Sequence, residues 1–140
     1  MIPEDFQEII SNMTENAKES LQKAELASRE FSTGYIGTEH ILLGLLSVKS
    51  SLAAQASSEV GLSFLSLQKY LNNNPIPVKN IPEFANPNVK ALSESAVFTL
   101  RMSWEISREF QQDHLGTEHI LYAILQQNKS RTSEIIKELG

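Results

Sequence analysis

Two matched pairs of neighbouring glutamate and histidine residues are the positions of this chain best suited to chemistry. Glu39-His40 and Glu118-His119 each belong to the hexapeptide Gly-Thr-Glu-His-Ile-Leu, which begins at Gly37 and again 79 residues later. At the start of a helix, the macrodipole favours a carboxylate by about 0.3–1 kcal/mol, which alone would explain the glutamates. Free N–H groups at a helix start also bind phosphate, and a carboxylate binds guanidinium. The motif therefore fits either a structural role or a two-part binding site.

A metal site or an enzyme active site is poorly supported by the same residues. No second ligand follows His40 or His119 at i+4, so the His-Glu-x-x-His geometry of zinc enzymes is missing, and we interpret both as hydrogen-bonded beneath the helix start. His114 aligns with Tyr35, so we expect no role shared by those two. The sequence has no cysteine, no Gly-x-x-x-x-Gly-Lys-Ser/Thr and no Gly-x-Ser-x-Gly. We therefore expect no catalytic residue, metal or cofactor.

Composition narrows the class of partner. Twelve Lys and Arg residues oppose seventeen Asp and Glu, for a net charge of −5. Nucleic-acid binding requires clustered positive charge, so this balance favours partners that are basic or that carry a guanidinium group. The acidic N-terminal residues do not resemble a signal peptide, and no apolar run approaches the roughly 20 residues of a membrane helix. We predict a cytoplasmic protein without membrane contact, forming one domain over residues 1–140.

The repeated hexapeptide is the most similar part of a longer duplication. Eleven of nineteen residues are identical between residues 28–46 and residues 107–125. Matches at the same 79-residue offset continue on both sides, so two tandem copies of one helical unit explain the pattern. We place repeat one at about 13–71, a proline- and asparagine-rich linker at 72–88 and repeat two at about 89–140.

Apolar residues recur every three or four positions throughout both copies, which predicts an all-α fold. The first helix begins near Pro3, or a short separate helix precedes it, and Thr14 and Ser93 are candidate N-caps. Thr38 is predicted to cap the next helix, and Gly61 to end the third. The remaining predicted helices cover residues 52–60, 64–71, 89–111, 117–127 and 131–139. We thus expect two four-helix units about a pseudo-twofold axis, the second lacking its last helix.

The duplicated Gly-Thr-Glu-His-Ile-Leu unit resembles the N-terminal Clp repeat domain of the Clp AAA+ unfoldases, most closely the ClpC type. The resemblance covers nearly the whole chain and includes Thr14, Glu15 and Ala17 at the head of the first repeat's long helix. In that family the domain precedes the ATPase modules and binds substrates and adaptor proteins. The resemblance implies a monomeric isolated domain, and a parent protein that forms a hexamer with a Clp peptidase.

ClpC-type domains also recognise proteins phosphorylated on arginine, which implies specific roles here. The resemblance places the guanidinium group on Glu39 and Glu118. The hydroxyl residues Thr14 and Ser93 would lie near the same pockets. The motif threonines belong to the same candidate site; these are Thr38 and Thr117. Relatives commonly carry a basic residue two places after the capping hydroxyl, where this chain has Asn16 and Ser95.

Three functions remain open from the sequence. The first is a substrate- and adaptor-binding N-terminal domain of an ATP-dependent Clp unfoldase, with phosphoarginine as a possible ligand. The second is a free-standing Clp-repeat adaptor without an ATPase in the same chain. The third, an enzyme of unrecognised chemistry, has the least support because no nucleophile and base can be paired from the sequence.

Overall fold

A computed structural model of the chain describes residues 4–30, 35–74, 92–112, 114–127 and 131–139. The described residues form helices joined by short turns and contain no β-strand beyond two isolated bridges. The helices are α1 (Glu4–Ser11), α2 (Glu15–Glu30), α3 (Thr38–Ser47), α4 (Leu52–Glu59), α5 (Phe64–Asn73), α6 (Glu94–Glu109), α7 (Thr117–Gln126) and α8 (Arg131–Leu139).

Short polar side chains begin several of these helices. The Thr14 hydroxyl accepts a hydrogen bond from the Ala17 N–H at 3.1 Å, and the Ser93 hydroxyl accepts one from the Ala96 N–H at 3.0 Å. Each satisfies a backbone donor that has no partner inside the helix. The predicted N-caps of α2 and α6 are therefore confirmed, and the cap at Thr14 explains why α1 is a separate helix although the apolar phase continues into α2.

The two copies are related by backbone pairing as well as by sequence. Met13, just before α2, forms an isolated parallel bridge with Leu115, just before α7. Leu92, just before α6, forms the same bridge with Ile36, just before α3. Adding the 79-residue offset to Met13 and Ile36 gives Leu92 and Leu115, so the two bridges are equivalent. The all-α, pseudo-twofold fold is confirmed.

Helix α3 lies at the centre of the core. It contacts α2, α4, α5, α6, α7 and α8, and most of its side chains are buried. Gly44 allows α2 to approach closely, because a Cβ at this position would overlap the carbonyl oxygen of Ser20. The hydrophobic core then extends through residues of both copies, including Ile41, Leu100 and Ile120.

Most predicted boundaries agree with the observed helices to within a few residues. The largest difference is the start of α6, which lies at Glu94 and not at the predicted residue 89; α5 continues to Asn73 and not only to residue 71. Gly61 adopts φ of 87°, as expected for the residue after a helix end. Repeat two has no described helix equivalent to α5. Of the linker predicted at 72–88, residues 72 and 73 belong to α5, and residues 75–88 lie outside the described residues. None of the described helices is long and apolar enough to span a membrane.

Candidate functional site

Each Gly-Thr-Glu-His motif lies at a helix start that is paired with a helix start from the other copy. The Ser93 N–H donates to the Ile36 carbonyl at 3.0 Å, which brings the start of α6 beside the start of α3. The Thr14 N–H donates to the Leu115 carbonyl at 3.0 Å, which brings the start of α2 beside the start of α7. We call the α3/α6 pair site one and the α7/α2 pair site two.

This pairing adds information that the sequence did not contain. The family resemblance implies that Thr14 and Ser93 lie near the motif glutamates, but it does not show which hydroxyl lies beside which carboxylate. The backbone pairing groups Ser93 with Glu39 in site one and Thr14 with Glu118 in site two. Each site therefore combines the motif of one repeat with the N-cap hydroxyl of the other.

The motif glutamates lie in the first turn of α3 and α7, and both are partly exposed. The Glu118 side chain is 39% exposed, and its carboxylate folds back over Gly116 so closely that a Cβ there would overlap it. The Glu39 carboxylate lies on the equivalent side of Gly37, where a Cβ would be 3.4 Å from Oε1. The motif glycines thus leave room for a carboxylate beside the first free N–H groups of the helix.

The motif histidines have a structural role at the same helix starts. The Gly37 N–H donates to Nδ1 of His40 at 2.8 Å, and the Gly116 N–H donates to Nδ1 of His119 at 2.9 Å. Because Nδ1 accepts, the neutral ring carries its hydrogen on Nε2. The hydrogen-bonded role predicted for both histidines is confirmed. Among the described residues, no group of three potential metal ligands occurs.

Burial keeps both histidines neutral. It lowers the pKa of His40 to about 4, since the buried ring disfavours the charged form. Burial is also the main cause that lowers the pKa of His119; the Glu118 carboxylate, with Oε1 3.7 Å from Nδ1, opposes this effect, and His114 adds to it. Glu118 therefore lies beside a neutral imidazole, and its negative charge is not cancelled by a cationic histidine.

The predicted roles of the motif threonines need correction. The N-cap of α3 is Gly37, not Thr38, because the chain becomes helical one residue earlier than the sequence suggested. Thr38 and Thr117 are almost fully buried, and the Thr117 hydroxyl accepts a hydrogen bond from the Ala53 N–H at 3.3 Å. The Thr38 hydroxyl has no hydrogen-bond partner among the residues that the structure describes. Both side chains are buried, so neither hydroxyl is exposed to a surface ligand.

Tyr35 and His114 lie beside the motif histidines at equivalent positions of the two repeats, Tyr35 buried and His114 exposed. The Tyr35 ring meets the His40 ring edge to face with centroids 5.8 Å apart, and the His114 ring lies 6.2 Å from the His119 ring. Their equivalence was hidden because the two residue types differ, although the aligned positions were a usable signal.

The geometry defines a class: a duplicated, all-α domain in which two quasi-equivalent pairs of helix starts each bring together a carboxylate and a capping hydroxyl. Residues 12–139 match the family described as the Clp repeat (R) N-terminal domain. The chain belongs to this family.

Relatives and solved structures agree with that assignment. The chain is 25% identical over 131 residues to a probable ATP-dependent Clp protease ATP-binding subunit of Chlamydia pneumoniae, covering 94% of this chain and 15% of the relative. It is 25% identical over 132 residues to the negative regulator of genetic competence ClpC/MecB of Bacillus subtilis, covering 94% and 16%. The chain thus spans about one-sixth of the length of these relatives.

The fold is shared with solved N-terminal domains. The N-domain of ClpV from Vibrio cholerae superposes with a TM-score of 0.76 at 20% identity, covering 99% of this chain and 83% of that one. The N-terminal domain of ClpD from Arabidopsis thaliana gives 0.71 at 16% identity, covering 94% and 89%. A ClpV N-domain has also been solved in complex with a VipB peptide, with a TM-score of 0.73 at 19% identity, covering 100% of this chain and 86% of that one.

Proposed function

We propose that this chain is a substrate- and adaptor-binding domain of an ATP-dependent Clp unfoldase, and that its two sites take phosphorylated arginine side chains of protein substrates. The proposal rests chiefly on one observation. In each site a partly exposed glutamate at one helix start is held beside a second helix start that bears a capping hydroxyl. Glu39 and Ser93 make up one site, and Glu118 and Thr14 the other.

The two halves of a phosphoarginine side chain need opposite chemistry. The guanidinium group is a planar set of N–H donors that a carboxylate accepts in pairs. The phosphoryl group is an anion, which the N–H groups and positive dipole of a helix start favour. Thr14 and Ser93 already accept a hydrogen bond at their oxygens, and a hydroxyl keeps its own hydrogen for donation to a phosphate oxygen. Each site offers both kinds of group.

The surrounding assembly is part of the same proposal. A Clp unfoldase joins its binding domain to AAA+ modules, forms a hexamer and delivers substrates to a Clp peptidase in the cytoplasm. The matched relatives include ATP-binding subunits of a Clp protease. Their length leaves most of the protein to such modules. In this arrangement the chain itself performs no chemistry and selects what the motor unfolds.

Calorimetric titration of the chain with free phosphoarginine tests the ligand. A charge-assisted hydrogen bond contributes about 1.5–3 kcal/mol, so Glu39→Gln should weaken site one by about ten- to a hundredfold and leave site two unchanged. Glu118→Gln should do the reverse, and the double variant should remove both sites. The glutamine keeps the shape of the side chain, removes its charge and replaces one acceptor oxygen with a donor NH2 group.

Glu134→Gln is the matched control, because Glu134 is an exposed carboxylate in the first turn of α8 and lies outside the motif. It should leave both sites intact. Plain arginine and inorganic phosphate, titrated separately, show whether both halves of the ligand are needed. Wild-type chain that binds no phosphoarginine at millimolar concentration would contradict the proposed ligand and return both motif glutamates to a structural role.

A further inference from the structure

A polar cleft of about 430 Å³ lies between α1 and the C-terminal end of α6. The backbone carbonyl of its lining residue Asn12 accepts a hydrogen bond from the Leu115 N–H at 2.8 Å, so the cleft adjoins the helix starts of site two. Its volume falls in the range of small-ligand sites. One wall comes from α1, which precedes repeat one, and the other comes from repeat two. Among the residues that the structure describes, the cleft is lined by Glu8, Asn12, Trp104, Arg108, Gln111 and Gln112.

The duplication shows how this surface differs from its counterpart. Trp104 and Arg108 of α6 align with Glu25 and Arg29 of α2 at the 79-residue offset. In repeat one, Arg29 Nη2 lies 2.8 Å from Glu25 Oε1 in an ion pair between residues four apart. In repeat two the carboxylate is replaced by an indole, and the Arg108 guanidinium lies 5.5 Å from the centroid of the Trp104 ring.

This replacement changes what the arginine can do. An arginine paired with a carboxylate has used its bidentate edge, whereas one held over an aromatic ring keeps its N–H donors at the periphery. Arg108 is exposed and forms no ion pair with any other residue that the structure describes. The indole therefore positions a guanidinium group without neutralising it, beside a cleft of ligand size.

The other lining residues supply further polar groups. Gln111 adopts φ of 56°, a left-handed conformation that is uncommon for a residue other than glycine, just after the end of α6. Together with Gln112 and Asn12 it places three amide groups on the cleft, each able to donate and to accept. Glu8 contributes the one carboxylate among the described lining residues and can accept from an N–H group of a ligand.

We propose that the cleft between α1 and α6 binds a polypeptide segment through an acidic side chain. The ligand's carboxylate pairs with Arg108, its aliphatic part packs on the Trp104 ring, and a main-chain N–H donates to Glu8. The net charge of −5 opposes non-specific attraction of acidic peptides, so such binding has to come from this local arrangement. None of these residues belongs to site one or site two, and the inference does not depend on phosphoarginine binding.

Trp104 is the single tryptophan of the 140 residues, so its fluorescence reports on this cleft alone. The probe is a blocked hexapeptide, acetyl-Ala-Ala-Glu-Glu-Ala-Ala-amide, compared with the matched peptide in which both glutamates are glutamines. We expect a saturable fluorescence change with the glutamate peptide, and binding about ten- to a hundredfold weaker with the glutamine peptide. Equal binding of the two peptides, or no saturable change at millimolar concentration, would overturn the proposal.

Three variants test whether the glutamate peptide binds at the cleft. Arg108→Gln keeps the fluorescent reporter and should reduce affinity for the glutamate peptide by about tenfold or more. Trp104→Glu recreates the ion pair of repeat one and should reduce binding by a similar factor. Because this variant lacks the fluorescent reporter, its binding is measured from the NMR shifts of the Asn12, Gln111 and Gln112 side-chain amides. Arg29→Gln is the control and should leave binding unchanged.

The remaining outcomes are also decisive. Unchanged affinity in folded Arg108→Gln, or a loss in Arg29→Gln equal to that in Arg108→Gln, would refute the assignment to the cleft. If Arg108→Gln fails to fold, the decision passes to Trp104→Glu, in which undiminished binding would refute it. Loss of phosphoarginine binding with a retained response to the glutamate peptide would count against the proposed function alone.

Discussion

The two repeats share a sequence pattern but cross their first two helices differently. In repeat one Gly44 allows α3 to approach the Ser20 carbonyl of α2, with no space for a Cβ. In repeat two the aligned residues are Ala123 and Thr99, and the Thr99 hydroxyl accepts a hydrogen bond from Gln127 Nε2 at 2.8 Å. One crossing therefore relies on backbone proximity, and the other on a methyl group and a side-chain hydrogen bond.

The central helices also differ in how well they are covered. Helix α3 contacts α2, α4, α6, α7 and α8, and α7 contacts the equivalent helices of the duplication, which are α6, α8, α2, α3 and α4. Helix α5 also packs on α3, but α7 has no described counterpart of α5. Leu46 of α3 is 4% exposed, whereas the aligned Leu125 of α7 is 41% exposed. Leu43 is likewise buried and the aligned Tyr122 is exposed. Equivalent helix periodicity thus leads to different burial, because burial depends on the neighbouring helix.

The largest expected effect tests this difference in coverage. Leu46→Ala should lower the free energy of unfolding by about 2–5 kcal/mol, since it leaves a cavity in a packed core. Leu125→Ala should cost less than about 1 kcal/mol, because its side chain is already partly in water. Urea unfolding of both variants measures the pair. Equal losses would show that α7 is covered as well as α3.

The next effect tests the helix crossing. Alanine is favoured over glycine by about 1 kcal/mol inside a helix, so Gly44→Ala would stabilise the chain if the helices were well separated. The clash with the Ser20 backbone predicts the opposite, a net loss of about 1–3 kcal/mol. The urea midpoint distinguishes the two signs.

Ala123→Gly is the companion variant in repeat two. It should cost about 1–2 kcal/mol from helix propensity and lost packing, with no change in the helix crossing. A stabilised Gly44→Ala variant would contradict the close approach of α2 and α3.

Most of the fold was predictable because it follows from local periodicity. Alternation every three or four residues located the helices, and Thr14, Ser93 and Gly61 marked their ends. The helix boundary at Gly37 was misplaced by one residue, since threonine is a common N-cap and the histidine that satisfies the glycine N–H is three residues later. The local sequence does not distinguish an N-cap at Thr38 from an N-cap at Gly37 whose N–H donates to His40.

The parts that could not be predicted involve contacts between distant segments. Nothing near Thr14 or Glu118 indicates that their helix starts are adjacent, because the pairing is made by the backbones of Met13 and Leu115. The cleft beside Arg108 was also missed, since α1 reaches α6 only in the folded chain. The replacement of Glu25 by Trp104 was visible in the aligned repeats, but its meaning depended on that contact.

A third prediction compares the motif histidines through pH. The pKa of folded His40, about 4, lies below the value of 6.5 for an unperturbed histidine, so the unfolded chain binds the proton more readily. The contribution of His40 to stability is therefore complete above about pH 6.5 and is lost as the pH falls toward 4. Between pH 7 and pH 5 this loss should be on the order of 1–2 kcal/mol.

His40→Asn separates this effect from the titration of carboxylates. The Asn oxygen can still accept from the Gly37 N–H, but it does not titrate, so the urea midpoint should fall less between pH 7 and pH 5 than in the wild type. His119→Asn should reduce the pH dependence less, because Glu118 opposes the lowering of the His119 pKa. An unaltered pH dependence in His40→Asn would mean that His40 is not held neutral by burial.

The smallest effect tests whether the two N-cap hydroxyls are equivalent despite the differences around them. Ser93→Ala and Thr14→Ala each remove one hydrogen bond to a helix N–H, of 3.0 Å and 3.1 Å respectively. Each should lower the free energy of unfolding by about 1 kcal/mol. Since the caps lie on different helices and share no partner, the losses should add in the double variant to within about 0.5 kcal/mol.

If the hydroxyls also bind a phosphoryl group, phosphoarginine affinity should fall in site one for Ser93→Ala and in site two for Thr14→Ala. The reverse assignment would contradict the pairing of helix starts between repeats.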